Sequence, residues 1–314
     1  MRILITGIAG MIGFHLALRL KRSGHLVTGV DDFNSLYYDM RLKKDRAKIL
    51  KDHDIETIPS DFSHVNYNRY DMIVHLAAHA AVRVSMDHPV RYIHNNVTST
   101  QVMIDALEKL PSPIPVIYAS TSCVQHGQPL PWKESDNPGH QNNFYGMTKR
   151  MNECQFIASK LPVALGLRFF TAYGPWGRPD MALFIFTKGI LERKPIPVFN
   201  NGDMIRDFTY VEDVCQGVEC AINEACRTSA SKEIYNLGYG RQVQLMDFVD
   251  VISRELGVEP ILDFRPKHPA DVQATWSDTK KLQVLGYNPT TPIEVGVKKF
   301  VEWYREYYDV NITS

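Results

Sequence analysis

No run of about 18 consecutive apolar residues occurs in this 314-residue chain, so a membrane-spanning helix is not among its readings. Charge of one sign is also missing in excess: 35 Lys and Arg balance 35 Asp and Glu. A zero net charge excludes a global field that would draw the chain to nucleic acid or to an anionic membrane. Cysteine is scarce and odd in number (Cys123, Cys154, Cys215, Cys220, Cys226), with no Cys-x-x-Cys pair. That pattern reads as reduced, mostly buried thiols, with neither a disulfide framework nor a metal centre. Internal repeats and low-complexity tracts are absent. The first 20 residues are apolar, but Thr6, Gly7, Gly10 and Gly13 punctuate them, unlike a signal peptide. The expectation is a cytoplasmic protein without metal, nucleic-acid or membrane partners.

What is present is an ordinary globular composition, 44% hydrophobic and 22% charged, and a succession of strand, loop and helix signals. Arg2-Ile3-Leu4-Ile5-Thr6 is a strand-like run. Gly7-x-x-Gly10-x-x-Gly13 follows at once, and then the helical pattern of residues 14–20. Glycines between a strand and a helix let the backbone approach a pyrophosphate, which the helix N-terminus attracts. A second strand, residues 25–30, ends at Asp31. An acid there suits the two ribose hydroxyls of an adenosine and repels a 2′-phosphate, which reads as NAD rather than NADP. Asp31 and Asp32 also fit a simple turn. A third strand at residues 55–61 ends in Asp61, placed either to bond an adenine amino group or merely to face solvent. A fourth, residues 71–78, ends in Ala77-Ala78, small enough for a cofactor to lie close.

The fifth strand, Pro115-Val116-Ile117-Tyr118-Ala119, opens into Ser120-Thr121-Ser122-Cys123. Further on, Tyr145 and Lys149 stand four apart, on one side of a helix if the segment is helical. An ammonium beside a phenol favours the phenolate, which is a means of making a base. On spacing alone the pair fits a surface helix equally well. The convergence of the glycine loop, Asp31, Ala77-Ala78 and Thr121 at the carboxyl ends of parallel strands favours the catalytic reading.

These signals give an α/β fold: a doubly wound parallel sheet of Rossmann type over residues 1–175, with a smaller mixed α/β region over residues 176–314 interleaved with it. In the second region, residues 173–180 are rich in Gly and Pro. Helices are expected at residues 182–191, 246–256 and 295–308. Arg206 suits either a phosphate or plain exposure.

The glycine loop, Ser120-Thr121-Ser122 and Tyr145-x-x-x-Lys149 together resemble the extended short-chain dehydrogenase/reductase family, over nearly the full length. The blocks Arg168–Pro175, Arg206–Val214 and Tyr235-Asn236-Leu237-Gly238 fit it too. Three stretches are similar to its UDP-glucuronate 4-epimerase branch. They are residues 31–44 with Tyr37-Tyr38-Asp39 and Leu42-Lys43, Ala81-Val82-Arg83-Val84-Ser85, and Trp176–Ala182.

The resemblance implies a tightly held NAD and a UDP-sugar substrate. It implies a cofactor site built from Gly7, Gly10, Met11, Ile12, Gly13, Asp31, Asn34, Asp61, Phe62, Leu76, Ala77, Ala78, Asn96, Ser120, Tyr145 and Lys149. Tyr145 would take the proton from the sugar 4-hydroxyl, with Lys149 lowering its pKa and Thr121 bonding the same oxygen. The 4-keto sugar would turn in place and be reduced on its other face. Thr121, Ser122 and Thr171 would surround the hexuronate carboxylate, restraining loss of carbon dioxide. Arg83, Arg178, Arg206 and Asp271 would hold the remainder of the substrate. A homodimer through the helices at residues 91–107 and 145–160 is implied as well.

Two departures from the family pattern bear on the outcome. Cys123 stands where dehydrating and decarboxylating relatives carry Glu, and an unperturbed thiol is a poor acid for that work. Val124-Gln125-His126-Gly127 replaces the usual Val-Tyr-Gly, so His126 is either a plain loop residue or one that shapes the sugar pocket. The leading expectation is conversion of UDP-glucuronate to UDP-galacturonate. The alternatives are a 4-epimerase of UDP-glucose or UDP-N-acetylglucosamine, a UDP-glucuronate decarboxylase, and a silent NAD-binding sensor.

Overall fold

The computed structural model describes residues 1–310; residues 311–314, the end of the second expected region, lie outside the described residues. The chain begins with β1 (Arg2–Thr6), α1 (Met11–Arg22), β2 (Leu26–Asp31), α2 (Arg41–Asp52) and β3 (Glu56–Pro59). Then come β4 (Met72–His75), α3 (Val82–Asp87), α4 (Pro89–Tyr92), α5 (Ser99–Glu108), β5 (Val116–Thr121), α6 (Phe144–Ala158) and β6 (Ala164–Phe169). The second half holds β7 (Thr171–Tyr173), α7 (Ala182–Leu191), β8 (Pro195–Phe199), β9 (Ile205–Arg206), β10 (Phe208–Tyr210) and α8 (Val211–Arg227). It closes with β11 (Ile234–Leu237), β12 (Val243–Gln244), α9 (Leu245–Leu256), β13 (Ile261–Arg265), α10 (Lys280–Gln283) and α11 (Ile293–Tyr308).

Seven parallel strands form the central sheet in the order β11-β6-β5-β4-β1-β2-β3. The chain starts in the middle, winds out to β3, returns to β4 and winds out the other way. The reversal lies between β1 and β4, so a crevice opens beyond their carboxyl ends. Strand alternation divides the core: Ile3 and Ile5 of β1 pack on one face of the sheet, and Leu4 packs on the other with Ile73, Val116 and Phe156. Burying each such side chain contributes about 1.5–3 kcal/mol, and Leu4→Ala would cost roughly 2–5 kcal/mol.

β11 lies in the sequence of the second region, yet it pairs with β6 as an edge of the central sheet. α8, from the same stretch, packs on α1. The rest of the second half gathers short strand pairs around α7, α9 and α11, with Phe208 stacked on Phe248 at 4.0 Å. The expected helix at residues 91–107 is helical but not uniform: Ile93–Thr98 forms a π-helical turn between α4 and α5. Such turns often occur at functional sites. This one leaves Asn95 on the cavity wall and Asn96 buried behind it.

Candidate active site

The crevice is a cavity of about 690 Å³, bounded by the carboxyl ends of the central strands and the loops of the second half. That is within the usual size of a small-molecule or cofactor site. Its first wall is the glycine loop. Gly7 has a φ of +72°, and a Cβ there would lie 2.8 Å from the backbone nitrogen of Ala77; at Gly13 it would lie 2.4 Å from the Gly7 carbonyl. α1 then starts at Met11 with no side-chain cap and no acid in its first turn. Its free N–H groups and positive end therefore remain for an anion.

Asp31 ends β2 and is buried. One carboxylate oxygen accepts the Ala9 N–H at 3.2 Å, and the other accepts the Phe33 N–H at 2.9 Å and Lys43 Nζ at 3.1 Å. Lys43 was not foreseen, although it lines the same cavity. Asp61 caps a short turn by accepting the Ser63 amide and hydroxyl. Met11, Ile12, Asn34, Phe62, Leu76, Ala77, Ala78 and Ser120 line the cavity. Asn96 does not: its amide is spent on the His79 backbone, at 2.8 and 2.9 Å, and on the Thr148 hydroxyl. The π-helical turn turns it inward.

The far end of β5 and the start of α6 meet at the cavity floor. Asn143 begins α6 by accepting the Gly146 N–H at 2.7 Å, a side-chain cap. Tyr145 then falls in the first turn and Lys149 one turn later, both lining the cavity with Thr121, Ser122 and Cys123. One further turn along stands Glu153, fully buried. It accepts the Ser120 hydroxyl at 2.7 Å, Arg168 at 2.8 and 3.1 Å, and Arg150 at 2.9 Å.

Burial pushes the Tyr145 phenol up, and the Thr121 hydroxyl pulls it back only in part. Burial also draws the Lys149 ammonium down to about 8, against the opposing pull of Glu153. Both groups line one cavity, and burial there penalises both charged forms. In the ligand-free protein burial therefore favours the neutral phenol. Burial raises the Cys123 thiol as well, so no thiolate is ready for acid–base work there.

The remaining wall comes from distant segments. Thr171 of β7 lines the cavity. Arg178 forks onto Asp180 at 3.0 and 2.5 Å and lies over the Tyr37 ring. Arg206 donates to the carbonyls of Ile205 and Gln273. Arg83 and Asp271, expected as separate substrate contacts, are paired with each other at 2.7 Å, with Arg83 over the Phe199 ring. Gln125 is buried and donates to the Lys133 carbonyl. His126 is not among the residues that line the cavity.

Asn143 and Glu153 carry signals that were legible: an Asn before a helix start, and an acid four residues beyond Lys149. Nothing local in the sequence marks Lys43 as a partner of Asp31.

A dinucleotide cradle beside a half-buried Tyr and a buried Lys and Thr at the carboxyl ends of a doubly wound sheet defines the class. The profile of the NAD dependent epimerase/dehydratase family matches residues 3–238, and the chain belongs to that family. Among its relatives, Protein CapI of Staphylococcus aureus is 37% identical, covering 98% of this chain and 99% of that one. UDP-glucuronate 4-epimerase 4 of Arabidopsis thaliana is 35% identical over 98% of this chain and 76% of its own length. In structure, the chain is similar to the UDP-glucuronic acid 4-epimerase of Bacillus cereus, solved with UDP-glucuronic acid and NAD. The TM-score is 0.90 at 30% identity, with 98% of this chain and 100% of that one covered.

Proposed function

We propose that the protein is an NAD-dependent 4-epimerase that interconverts UDP-glucuronate and UDP-galacturonate. The observation that carries this reading is the shared cavity. It joins a glycine cradle with no room for a Cβ to a floor of Thr121, Tyr145 and Lys149, facing the hydroxyls of Ser122 and Thr171. The curated and solved relatives named UDP-glucuronate 4-epimerase support the choice of sugar.

The residues present fit NAD: Gly7, Gly10 and Gly13 with the first turn of α1 suit its diphosphate, and Asp31 its adenosine ribose. When bound, NAD supplies a cationic ring that accepts hydride from the sugar and returns it. A cation in this cavity, with Lys149 charged below about pH 8, offsets the burial that keeps Tyr145 protonated. Tyr145 then takes the proton of the 4-hydroxyl, and Thr121 shares the same oxygen. Ser122, Thr121 and Thr171 hold the hexuronate carboxylate, so the 4-keto sugar, a β-keto acid, is restrained from losing carbon dioxide. Cys123 in place of an acid removes a group that elimination would use.

The same reading includes a cytoplasmic homodimer. Val102 of α5 and Met151 and Ile157 of α6 are apolar and exposed on adjoining helices, a face suited to a second copy. All five cysteines are free, in keeping with a reducing compartment. Among the described residues no helix is long and apolar enough to cross a membrane.

The test is incubation of the purified protein with UDP-glucuronate, UDP-glucose and UDP-N-acetylglucosamine, each without added NAD, followed by chromatography. Conversion of the first alone, without a pentose nucleotide, is expected. Conversion of a neutral sugar in preference, or of none, contradicts the reading.

A further inference from the structure

Arg46 is one of the largest fully buried side chains in the protein. Its neighbours on α2 find carboxylates: Arg41 reaches Asp45, and Lys43 reaches Asp31. Arg46 has no carboxylate within 4 Å among the described residues. It donates instead to two backbone carbonyls, Nη1 to Ala9 at 2.6 Å and Nη2 to Trp176 at 2.5 Å, and its Nε has no partner. A buried cation without a counter-charge is costly to maintain, so its retention asks for a compensating partner.

The two carbonyls belong to two neighbouring loops, each of which supplies residues to the cavity wall. Ala9 sits inside the glycine loop, between Gly7 and Gly10, and is held at its other end by the carboxylate of Asp31. Trp176 has a φ of +60° and precedes Gly177 and Arg178, which line the cavity. Arg46 itself is outside the lining, so it acts through these loops.

We propose that Arg46 is a positioning residue of the diphosphate cradle. It keeps the Ala9 carbonyl, an acceptor that would repel phosphate, bonded away from the ligand. It pins the glycine loop to the Trp176 loop, and its unpaired charge is balanced only when a diphosphate is bound. This rests on the reading of the cavity as a dinucleotide site, and it concerns the diphosphate rather than the adenosine.

The test compares ADP with adenosine as ligands of the full-length protein stripped of nucleotide, by calorimetry and ligand-observed NMR, in wild type, Arg46→Met and Arg46→Lys. Arg46→Met should weaken ADP about tenfold or more, the size of one hydrogen bond to a charged group, while adenosine is held as before. Arg46→Lys, which keeps a cation but not the two-pronged hold, should lie between, and it gives the same reading if Arg46→Met does not fold. Equal loss of ADP and adenosine would show general loosening and overturn the proposal, as would ADP affinity unchanged within about twofold. If wild type binds neither ligand, the dinucleotide reading itself fails, which is a separate outcome from the variants matching wild type.

Discussion

The floor of the cavity and its outer wall are built on opposite principles. At the floor, Glu153 and Arg168 are almost wholly buried and joined by two hydrogen bonds, with Ser120 and Arg150 also donating to the carboxylate. At the wall, Arg83 is 42% exposed and meets Asp271, from a segment 188 residues away, in a single contact. A buried network fixes geometry, because removing one member strands the others in low dielectric. An exposed pair contributes little to stability and exchanges partners readily. The difference teaches that the floor is held in one geometry, whereas the charged groups of the wall occupy one another and are free to exchange partners.

Breaking the floor should have the largest effects. Tyr145→Phe should lower turnover by roughly 10²–10⁴-fold, the usual share of a general acid–base group, while NAD released from the purified protein stays at the wild-type amount. Full turnover in that variant would remove Tyr145 as the base. Glu153→Gln should destabilise the protein by about 3–5 kcal/mol in denaturant unfolding, as breaking a buried pair does. It should also shift Lys149. Burial lowers that ammonium to about 8 and Glu153 raises it, so loss of the carboxylate moves the midpoint further down. Lysine NMR titration of the ligand-free protein reads this, and an upward shift would contradict the network. At the wall the effects should be smaller. Arg83→Met should raise KM for UDP-glucuronate by less than about tenfold, and leave the unfolding midpoint and NAD content unchanged. A large loss of stability there would erase the contrast between floor and wall.

Much of the floor was legible because its signals are local. β1, the glycine loop and α1 follow one another without interruption, and Tyr145 and Lys149 share a helix turn. α7 spans Ala182–Leu191, the range its apolar pattern predicts. What escaped depends on distance or burial. The pairing of Arg83 with Asp271 spans 188 residues. β11 joins the central sheet only after the chain has left it and returned. The π-helical turn that diverts Asn96 has no marker in its polar sequence. The direction of the Tyr145 shift follows from burial of the phenol, which spacing does not reveal. His126 departs from the family pattern, yet it is not among the residues that line the cavity.

The central claim is that a closed floor removes the C4 hydrogen and gives it back to the same carbon. UDP-glucuronate carrying deuterium at C4, incubated in ordinary water without added NAD and analysed by mass spectrometry and NMR, tests it most directly. The account predicts UDP-galacturonate that retains the deuterium at C4, with no pentose nucleotide. Loss of the label to solvent, or a pentose product, would contradict it.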